Sequence, residues 1–403
     1  MTSTTDQPTS GLFAGARRAQ RYQEVGGEAE EHGRDGSLVV DQHERTDGVG
    51  EDTVDPKPAN TPPSLAETPA RVLPVPAPHT PVTVAEPSGS PPAQWGWRGR
   101  LSRGTGGLVK LAPDAAELAH REAIATIRRA TWSRAVNIGV TNPKGGTGKT
   151  PTALILAGIL GHVRGGYVVT WEAAESVGTL NRRAEGDPER GLAELLAGVG
   201  NVRSAGTLGG YTAPQSSHTD VIGSVGGRRE LTAGDVLAAR RVLDTYYRIT
   251  VTDTGNNPGH EAYLAALRTA DAAVLPCLVS IDALAGVEET LAVIRADSEV
   301  AAPGGLASRV VVLLGHDGGP EDPHIAAALR ARLDELGVAA VVEVPFDPAI
   351  RLGGQITLAA LSEKSTRAWT AAAAAIVTAL GSAPTDVDLV HQLQDTIIAS
   401  RQG

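Results

Sequence analysis

The sequence predicts an α/β fold, a doubly wound and mainly parallel sheet flanked by helices and preceded by a disordered N-terminal tail. From Ala135 onward, short β-branched runs alternate with alanine- and leucine-rich stretches of helical length, which is typical of βαβ units. A glycine-rich loop separates the first predicted strand from the first predicted helix. Residues 1–94 are instead rich in proline and carry 14 acidic and 7 basic side chains, a composition that does not bury enough apolar surface to fold.

The elements follow from these patterns in chain order. The predicted strands are Ala135 to Val140, Tyr167 to Trp171, Arg248 to Asp253, Ala272 to Val279, Arg309 to Leu314 and Ala339 to Val344. The predicted helices are Thr150 to Leu160, Ala233 to Tyr247, Glu261 to Thr269, Asp282 to Ile294, Pro323 to Leu336 and Thr366 to Leu380. The segment from Gly200 to Gly227 is rich in Gly, Ser and Thr, and we interpret it as a solvated surface loop with one short strand around Val221.

The chain of 403 residues is longer than one core usually requires, so we expect appended segments. We predict a disordered acidic tail at 1–94, a basic aromatic linker and helix at 95–134, the α/β domain at 135–382 and a C-terminal helical tail at 383–403. Residues 95–140 carry 8 basic and 3 acidic side chains, a local excess of positive charge in a chain of net charge −10.

Composition excludes several classes of protein. Cys277 is the only cysteine, so this chain has no disulfide framework, no CxxC redox pair and no cysteine cluster of its own. The sequence lacks a signal peptide and any apolar run long enough to cross a bilayer. We therefore expect a cytoplasmic protein without a transmembrane segment.

The glycine-rich loop carries the clearest chemistry. It reads Asn142, Pro143, Lys144, Gly145, Gly146, Thr147, Gly148, Lys149 and Thr150. Glycines between a strand and a helix let successive backbone N–H groups face a polyphosphate, and the helix adds its positive dipole end. Lys149 is placed to contact the β- and γ-phosphates, and the Thr150 hydroxyl is placed to ligate Mg²⁺.

The stretch from Lys144 to Thr150 resembles the deviant Walker A motif, KGGxGK[ST], of the ParA/MinD family of P-loop ATPases. The resemblance covers approximately residues 135–380. It implies a P-loop NTPase fold, ATP and Mg²⁺ as cofactors, and an ATP-dependent homodimer in which Lys144 reaches the partner's phosphates. Five lysines against 31 arginines make two lysines within one short motif informative.

The two switch regions match the family unequally. Asp253, at a strand end before Thr254, Gly255, Asn256 and Asn257, is similar to the second switch, where it would hold a water bound to Mg²⁺. The carboxyl edge of a parallel sheet is also where doubly wound folds bind ligands. The family's first switch reads D-x-D-P, whereas this chain places Ala174 at the catalytic position. Glu172 and Glu175 are the candidates to replace it, since position matters more than acidity in phosphoryl transfer.

Two further positions concern nucleotide contacts. Pro151 follows the P-loop threonine and lacks the N–H that normally donates to the α-phosphate, so we expect weakened nucleotide binding. Pro345 and Asp347 lie where the family contacts its adenine base, although an ordinary Pro-Asp turn explains them equally well.

The segment from Trp95 to Arg103 combines aromatic residues with arginines, and Arg121, Arg128, Arg129 and Arg134 follow on a predicted helix. One hypothesis is that the tryptophans fasten the tail to the ATPase domain. The others are contact with nucleic acid or a protein partner, and contact with anionic lipid. The stretch from Val387 to Ile398 has helical spacing but acidic neighbours, so we interpret it as a packing or partner helix.

The leading functional hypothesis is an ATPase switch that partitions or positions a cargo such as plasmid or chromosomal DNA, with DNA bound through arginines and a ParB-like partner stimulating slow hydrolysis. Such a protein would be associated with the nucleoid or peripherally with the membrane. The alternative is a MinD-like regulator, deficient in hydrolysis or not, attached to a secretion or conjugation machine through its tail. A small-molecule ligase of the dethiobiotin synthetase type is a lesser alternative.

Overall fold

The computed structural model describes residues 91–297, 305–319 and 322–381. Residues 1–90, for which we predicted disorder, and residues 383–403, for which we predicted a helical tail, lie outside the described residues. None of the helices within the described ranges is long and apolar enough to span a membrane.

One sheet organises the described chain. Its strands are β1 Val136–Val140, β2 Val168–Ala173, β3 Ala213–Pro214, β4 Thr219–Ile222, β5 Ile249–Thr254, β6 Ala272–Leu278, β7 Val310–Gly315 and β8 Ala340–Val344. Their order across the sheet is β3-β4-β2-β5-β1-β6-β7-β8. All neighbours pair in parallel except β3 and β4. The predicted doubly wound, mainly parallel fold is confirmed.

Helices connect the strands. They are α1 Gly96–Gly104, α2 Ala115–Arg129, α3 Lys149–Arg164, α4 Leu180–Arg183, α5 Leu192–Ala197, α6 Ala205–Gly209, α7 Ala233–Tyr246, α8 Glu261–Arg268, α9 Ile281–Ala296, α10 Pro323–Glu335, α11 Pro348–Arg351 and α12 Glu363–Leu380. Short 3₁₀ turns occupy Val199–Asn201, Leu306–Ser308 and Leu358–Ala360. The predicted strands and long helices agree with these bounds to within a few residues.

The two faces of the sheet are covered by different helices because side chains of a strand alternate in direction. On β7, Val311 and Leu313 join the cluster with α3 and α12, while Val310, Val312 and Leu314 join the cluster with α8, α9 and α10. β1 is buried along its whole length. Burial on both faces explains the nearly continuous apolar runs from which the strands were predicted.

The segment from Gly200 to Gly227 corrects the sequence prediction. It was interpreted as a solvated loop, but it contributes α6, β3 and β4, and Leu208, Val221 and Ile222 are buried. β4 is the short strand that was predicted around Val221, and it pairs with β2 in the sheet. β3 was not predicted, because so short a strand shows no periodicity and the segment around it is rich in glycine and polar residues.

Residues just before the predicted tail boundary at residue 94 are packed. Ala93 is buried, and its N–H donates to the Leu111 carbonyl at 2.8 Å. Arg121 donates to the carbonyls of Pro91 and Pro92 at 2.7 and 2.9 Å. Among the described residues, packing therefore extends to both sides of this boundary.

Candidate functional site

Three neighbouring strands bring the candidate residues together. β1 lies between β5 and β6, and β5 lies between β1 and β2. Asp253 on β5 is in register with Val140 at the end of β1 and with Glu172 on β2. The glycine-rich loop, the loop after β2 and the loop after β5 therefore leave the same edge of the sheet, as parallel pairing requires.

The glycine-rich loop runs from β1 directly into α3, which begins at Lys149. Gly146 and Gly148 have φ of 79° and 91°, in the left-handed region that glycine adopts without strain. The first helical bond is donated by the Thr152 N–H to the Gly148 carbonyl at 2.9 Å. The earlier N–H groups of the helix have no such partner within it, which leaves this end suited to a phosphate.

Lys149 is buried at the centre of this loop. Its ammonium donates to the Asn142 carbonyl at 2.7 Å, to the Lys144 carbonyl at 3.2 Å and to Asn256 Oδ1. Burial lowers its pKa, while the carboxylates of Asp253 and Glu175 act in the opposite direction. These three acceptors hold the ammonium where the sequence placed it, at the mouth of the loop.

Asp253 is buried and bonded to the P-loop threonine. The Thr150 hydroxyl donates to Asp253 Oδ2 at 2.6 Å. Burial raises the pKa of Asp253 to about 7, with Glu172 adding to the rise and Thr150 and Lys149 opposing it. The carboxyl group therefore resists ionisation until a positive partner is present.

Glu172 lies on β2 and is 1% exposed. Its Oε1 accepts from the Gly178 N–H at 3.0 Å, from the Ser224 hydroxyl, and from Arg228 Nη2 at 3.1 Å. The partners of this oxygen tie the carboxylate to the protein, so Glu172 is poorly placed to orient an attacking water.

Glu175 lies in the loop after β2 and turns back over the site. Its Oε1 accepts from the Asn256 N–H at 3.3 Å. A methyl group at Gly255 would overlap its carboxylate, so the absence of a side chain there creates the space that Glu175 occupies. Of the two proposed replacements, Glu175 is the one that contacts the second switch loop.

Three carboxylate oxygens near the loop are buried and accept no hydrogen bond from the described residues. They are Glu172 Oε2, Glu175 Oε2 and Asp253 Oδ1. All three residues line one cavity of about 480 Å³, together with Gly148, Lys149, Thr150, Ala174 and Asn256 among others. Buried acceptors of this kind cost free energy unless a cation or donor meets them.

These oxygens suit a hard divalent cation, which prefers oxygen ligands and shares them with phosphates and water. Among the described residues, no group of three or more His, Cys, Asp or Glu is arranged to hold a metal by itself. An ion at this position would therefore need oxygens from a nucleotide. The residues present fit Mg²⁺ held jointly with phosphates.

A second cavity, of about 410 Å³, opens on the other side of the same loop. Gly146, Gly148 and Pro151 line both cavities. The second is formed largely by apolar residues of β6, of β7, of the loop after β8 and of α12, including Pro276, Leu278, Leu313, Pro345, Phe346 and Trp369. A mononucleotide lying across the loop would place its phosphates in the first cavity and its base in the second.

Pro345 and Asp347 line this second cavity, as their proposed role requires. The Asp347 carboxylate, however, accepts from the Ala349 N–H at 3.0 Å and from the Ser362 N–H at 2.9 Å. It caps α11 and joins it to the start of α12. Contact of Asp347 with a base stays a prediction, and the turn interpretation accounts for its present bonds.

Lys144 and Cys277 complete the surroundings of the loop. The Lys144 N–H donates to Asn142 Oδ1 at 2.9 Å, and Asn142 Nδ2 donates to the Pro276 carbonyl at 2.9 Å. Asn142 thus fastens the loop to β6. Cys277 is buried in β6, and burial raises the pKa of its thiol to about 11, as expected for an inert strand residue.

The predicted basic segment forms a helical hairpin of α1 and α2, whose arginines bond partly within the segment and partly to the rest of the chain. The Arg367 guanidinium lies 4.0 Å from the centre of the Trp95 ring, and Arg134 pairs with Asp271. Trp95 therefore contacts α12, which agrees with the fastening hypothesis. Trp97 is 66% exposed and does not share this role.

Sequence reasoning missed four residues that shape the site, namely Asn142, Arg228, Gly255 and Asn256. Asn142 and Asn256 belong to motifs already recognised, so their amides were available to be considered. Arg228 comes from the segment after β4, about 50 residues beyond the loop that it contacts. No local pattern marks it.

Comparison with known proteins gives structural neighbours only. No family model and no curated protein matches the chain. A ParA family ATPase from Chlorobium tepidum TLS is 16% identical, with 59% of this chain and 98% of that chain covered and a TM-score of 0.49. Apo McdA of Cyanothece is 18% identical, with 56% and 92% covered and a TM-score of 0.43. MinD from Pyrococcus horikoshii OT3, complexed with Mg-ADP, is 19% identical, with 59% and 94% covered and a TM-score of 0.45.

The solved structures that this chain is similar to thus include ATPases of the ParA and MinD type, and also cobyrinic acid a,c-diamide synthase from Mycobacterium smegmatis, which is 19% identical with a TM-score of 0.38. The identities and TM-scores are too low to transfer a cargo, a partner or a mechanism. Function has to be argued from the residues of the site.

Proposed function

We propose that this chain binds MgATP and hydrolyses it slowly, as a nucleotide-dependent dimer switch of the ParA/MinD type. The observation that carries the proposal is the cavity above the glycine-rich loop. There Lys149 and Thr150 face Asp253 and Glu175, and three buried carboxylate oxygens lack partners. The negative charge of a polyphosphate would pair with the Lys149 ammonium. The positive charge of its divalent ion would meet the unpartnered carboxylate oxygens.

Phosphate binding would use the backbone of residues 145–150 and the ammonium of Lys149. Lys149 now donates to three protein acceptors, and a phosphate oxygen would take the place of at least one of them. The flexible amide of Asn256 is the acceptor most easily displaced. Nucleotide binding is thereby coupled to the loop after β5.

Thr150 and Asp253 are the residues that would hold Mg²⁺, directly or through water. The bound ion would neutralise charge on the phosphates and favour ionisation of Asp253, whose pKa burial raises to about 7. Glu172 adds negative charge from β2 without leaving its bonds to Arg228 and Ser224. The metal assignment rests on the unpartnered oxygens.

Hydrolysis needs a group that orients the attacking water. Ala174 offers none, and Glu172 is held by its own partners. We assign the role to Glu175, because its Oε1 contacts the loop after β5 at the Asn256 N–H, whereas three donors fix Glu172 Oε1 beside β2. The second oxygen of each residue lacks a partner in the cavity. A carboxylate anchored in this way orients water by position.

The test measures ATP hydrolysis and oligomeric state for wild type and Lys149→Ala, with ATP and with ADP, and with and without DNA. Lys364→Ala is the matched control, since Lys364 is an exposed lysine on α12. Slow turnover with ATP-specific dimers, lost in Lys149→Ala and retained in the control, supports the proposal. Equal turnover in wild type and Lys149→Ala contradicts it.

Lys144→Ala separates dimerisation from nucleotide binding. If Lys144 reaches the partner's phosphates, this variant binds ATP but stays monomeric. Dimers that form equally well in Lys144→Ala would exclude that role.

The cargo and the binding partner of this switch are the second part of the proposal. The DNA hypothesis relies on arginines of the basic segment, yet Arg103, Arg121 and Arg134 donate to groups of the same chain. The tail hypothesis is favoured by exposed apolar residues on the N-terminal hairpin. These are Trp97, Leu101, Leu108, Val109 and Leu118.

Such residues suit a protein partner better than a nucleic acid backbone, which presents mainly phosphate and sugar to a non-specific binder. We therefore place attachment to a larger machine, through the N-terminal region, beside DNA partitioning as a candidate role. The test replaces the exposed residues Trp97, Leu101 and Leu108 by serine in the full chain. Loss of a co-purifying protein with ATP-dependent DNA binding retained favours the machine, whereas an unchanged co-purifying protein contradicts a role of this surface.

A further inference from the structure

Arg228 is a buried arginine for which the proposed reaction has no use. It lies between β4 and α7, and its side chain is 3% exposed. We propose that Arg228 is a positioning residue that fixes the loop after β2, and with it the Glu175 carboxylate, over the phosphate site. The inference rests on the proposed function, because it concerns the residue assigned to orient water.

The guanidinium donates to three consecutive carbonyls of that loop. Nη2 donates to the carbonyls of Ala174 and Ser176, both at 2.8 Å, and Nη1 donates to the carbonyl of Glu175 at 3.0 Å. A peptide unit of the loop therefore cannot rotate without losing a charge-assisted hydrogen bond. The direction of the Glu175 side chain is set by this backbone.

The remaining bonds of the guanidinium fix its own position. Nε donates to Ser224 Oγ at 2.8 Å, Nη1 also donates to the Arg229 carbonyl at 3.1 Å, and Nη2 also contacts Glu172 Oε1 at 3.1 Å. Ser224 in turn donates to the same Glu172 oxygen. The planar arrangement of five donors in arginine makes this set of contacts possible, and the three donors of a lysine ammonium do not reproduce it.

A further hydrogen bond holds the loop after β2, and a space beside Gly255 accommodates the Glu175 side chain. The Leu231 N–H donates to the Glu175 carbonyl at 3.1 Å, so the segment carrying Arg228 holds the loop at two points. On the other side, Glu175 fills the space above Gly255 and contacts the Asn256 N–H. Contacts thus run from Arg228 through Glu175 to Asn256, which bonds to Lys149.

Each hydrogen bond in this arrangement joins two groups of the chain itself. We therefore expect the loop to be held in place without nucleotide by the segment that follows β4. It should behave as a fixed support for Glu175, in contrast to a segment that becomes ordered around the γ-phosphate.

The first arm of the test measures hydrogen exchange in the full chain without nucleotide. In Arg228→Lys we expect at least about 10-fold faster exchange at the Gly178 and Leu231 amides, which Glu172 and Glu175 protect. Peptides from α12 serve as the internal reference, and Arg241→Ala, an exposed arginine on α7, is the control variant. Unchanged exchange at both amides in Arg228→Lys overturns the proposal.

Arg228→Lys leaves a positive charge beside buried Glu172, which favours folding. Should it fail to fold, the double variant E172Q/R228Q carries the same measurement, because it leaves no buried charge without a partner. The expected and contradicting results are the same for this variant.

The second arm measures kcat and ADP affinity separately. In Arg228→Lys we expect kcat to fall at least about 10-fold with ADP affinity within about 3-fold, and no further fall when Glu175→Gln is also present, because both changes act through one carboxylate. Wild-type kcat in Arg228→Lys, or additive losses in the double variant, overturns the proposal. Absence of turnover in the wild type contradicts the proposed ATPase reaction instead, and hydrogen exchange then decides the role of Arg228.

Discussion

Asp253 offers a quantitative test of the electrostatics of the site. Its carboxyl group is 5% exposed, and burial raises its pKa from 3.8 to about 7. In the unfolded chain the same group ionises near its ordinary value. Without a cation, the Asp253 carboxyl group is therefore protonated to a greater extent in the folded protein than in the unfolded chain between about pH 4 and pH 7.

The sign of the effect follows from that difference. Stability rises with pH where the unfolded state binds more protons, so here the Asp253 contribution makes stability fall as pH rises through this window. The difference between the two pKa values corresponds to about 4 kcal/mol above pH 7, of which about 3 kcal/mol develops between pH 5 and pH 8. Asp253→Asn removes the titration and keeps an oxygen that can accept from Thr150.

The assay is urea unfolding of wild type and Asp253→Asn at pH 5 and pH 8, without Mg²⁺ and without nucleotide. We expect the stability of the wild type relative to the variant to fall by about 3 kcal/mol between these pH values, leaving the variant the more stable protein at pH 8. Asp334→Asn, a change at an exposed position of α10, should show no such difference. MgADP should stabilise the wild type at pH 8 more than Asp253→Asn.

A stability difference between wild type and Asp253→Asn that stays constant from pH 5 to pH 8 would refute this reasoning. It would mean that burial does not control the ionisation of Asp253, and that the unpartnered oxygens are satisfied in another way. The assignment of the ion to this carboxyl group would then lose its main support.

Three further predictions concern single positions. Pro151→Thr should tighten ADP binding by about 10-fold, since it restores an N–H worth roughly 1–3 kcal/mol at the third residue of α3, and calorimetry showing unchanged affinity would contradict this. Gly255→Ala should displace the flexible end of Glu175 and reduce ATP turnover at least about 10-fold with ADP affinity within about 3-fold; full turnover in this variant would exclude Glu175 from the reaction. Trp95→Ala should lower the free energy of unfolding by about 1–3 kcal/mol through lost contact with Arg367, whereas Trp97→Ala should change it by less than about 0.5 kcal/mol; equal effects of the two changes would show that Trp95 does not fasten the hairpin.

The site also bears on how fast the reaction can be. In the proposed function, Ala174 stands where the family motif has its water-orienting aspartate, and Glu175 would take that role only as long as its loop stays fixed. A partner that stimulates turnover would have to act on that loop, on the segment Gly223 to Leu231 behind it, or on the nucleotide itself. Partner-stimulated hydrolysis remains a prediction.

The sequence determined the parts of this protein that depend on neighbours along the chain. The six main strands, the long helices and the glycine-rich loop follow from periodicity and spacing, because burial of both sheet faces and the phosphate-binding turn need particular residues at adjacent positions. Lys149, Thr150 and Asp253 were placed at one edge by the same logic, since parallel strands bring their carboxyl ends together.

Tertiary structure decided what depends on residues far apart in the chain. Which of Glu172 and Glu175 contacts the loop after β5 depends on Arg228, Ser224 and Gly255, which lie about 50 to 80 positions away and join the site only when β4 and β5 flank β2. The segment from Gly200 to Gly227 forms an edge of the sheet for the same reason. The backbone N–H and C=O groups of β2 need partners, and β4 supplies them. Local composition carries no record of such pairings, which arise from the free energy of burying and bonding distant groups together.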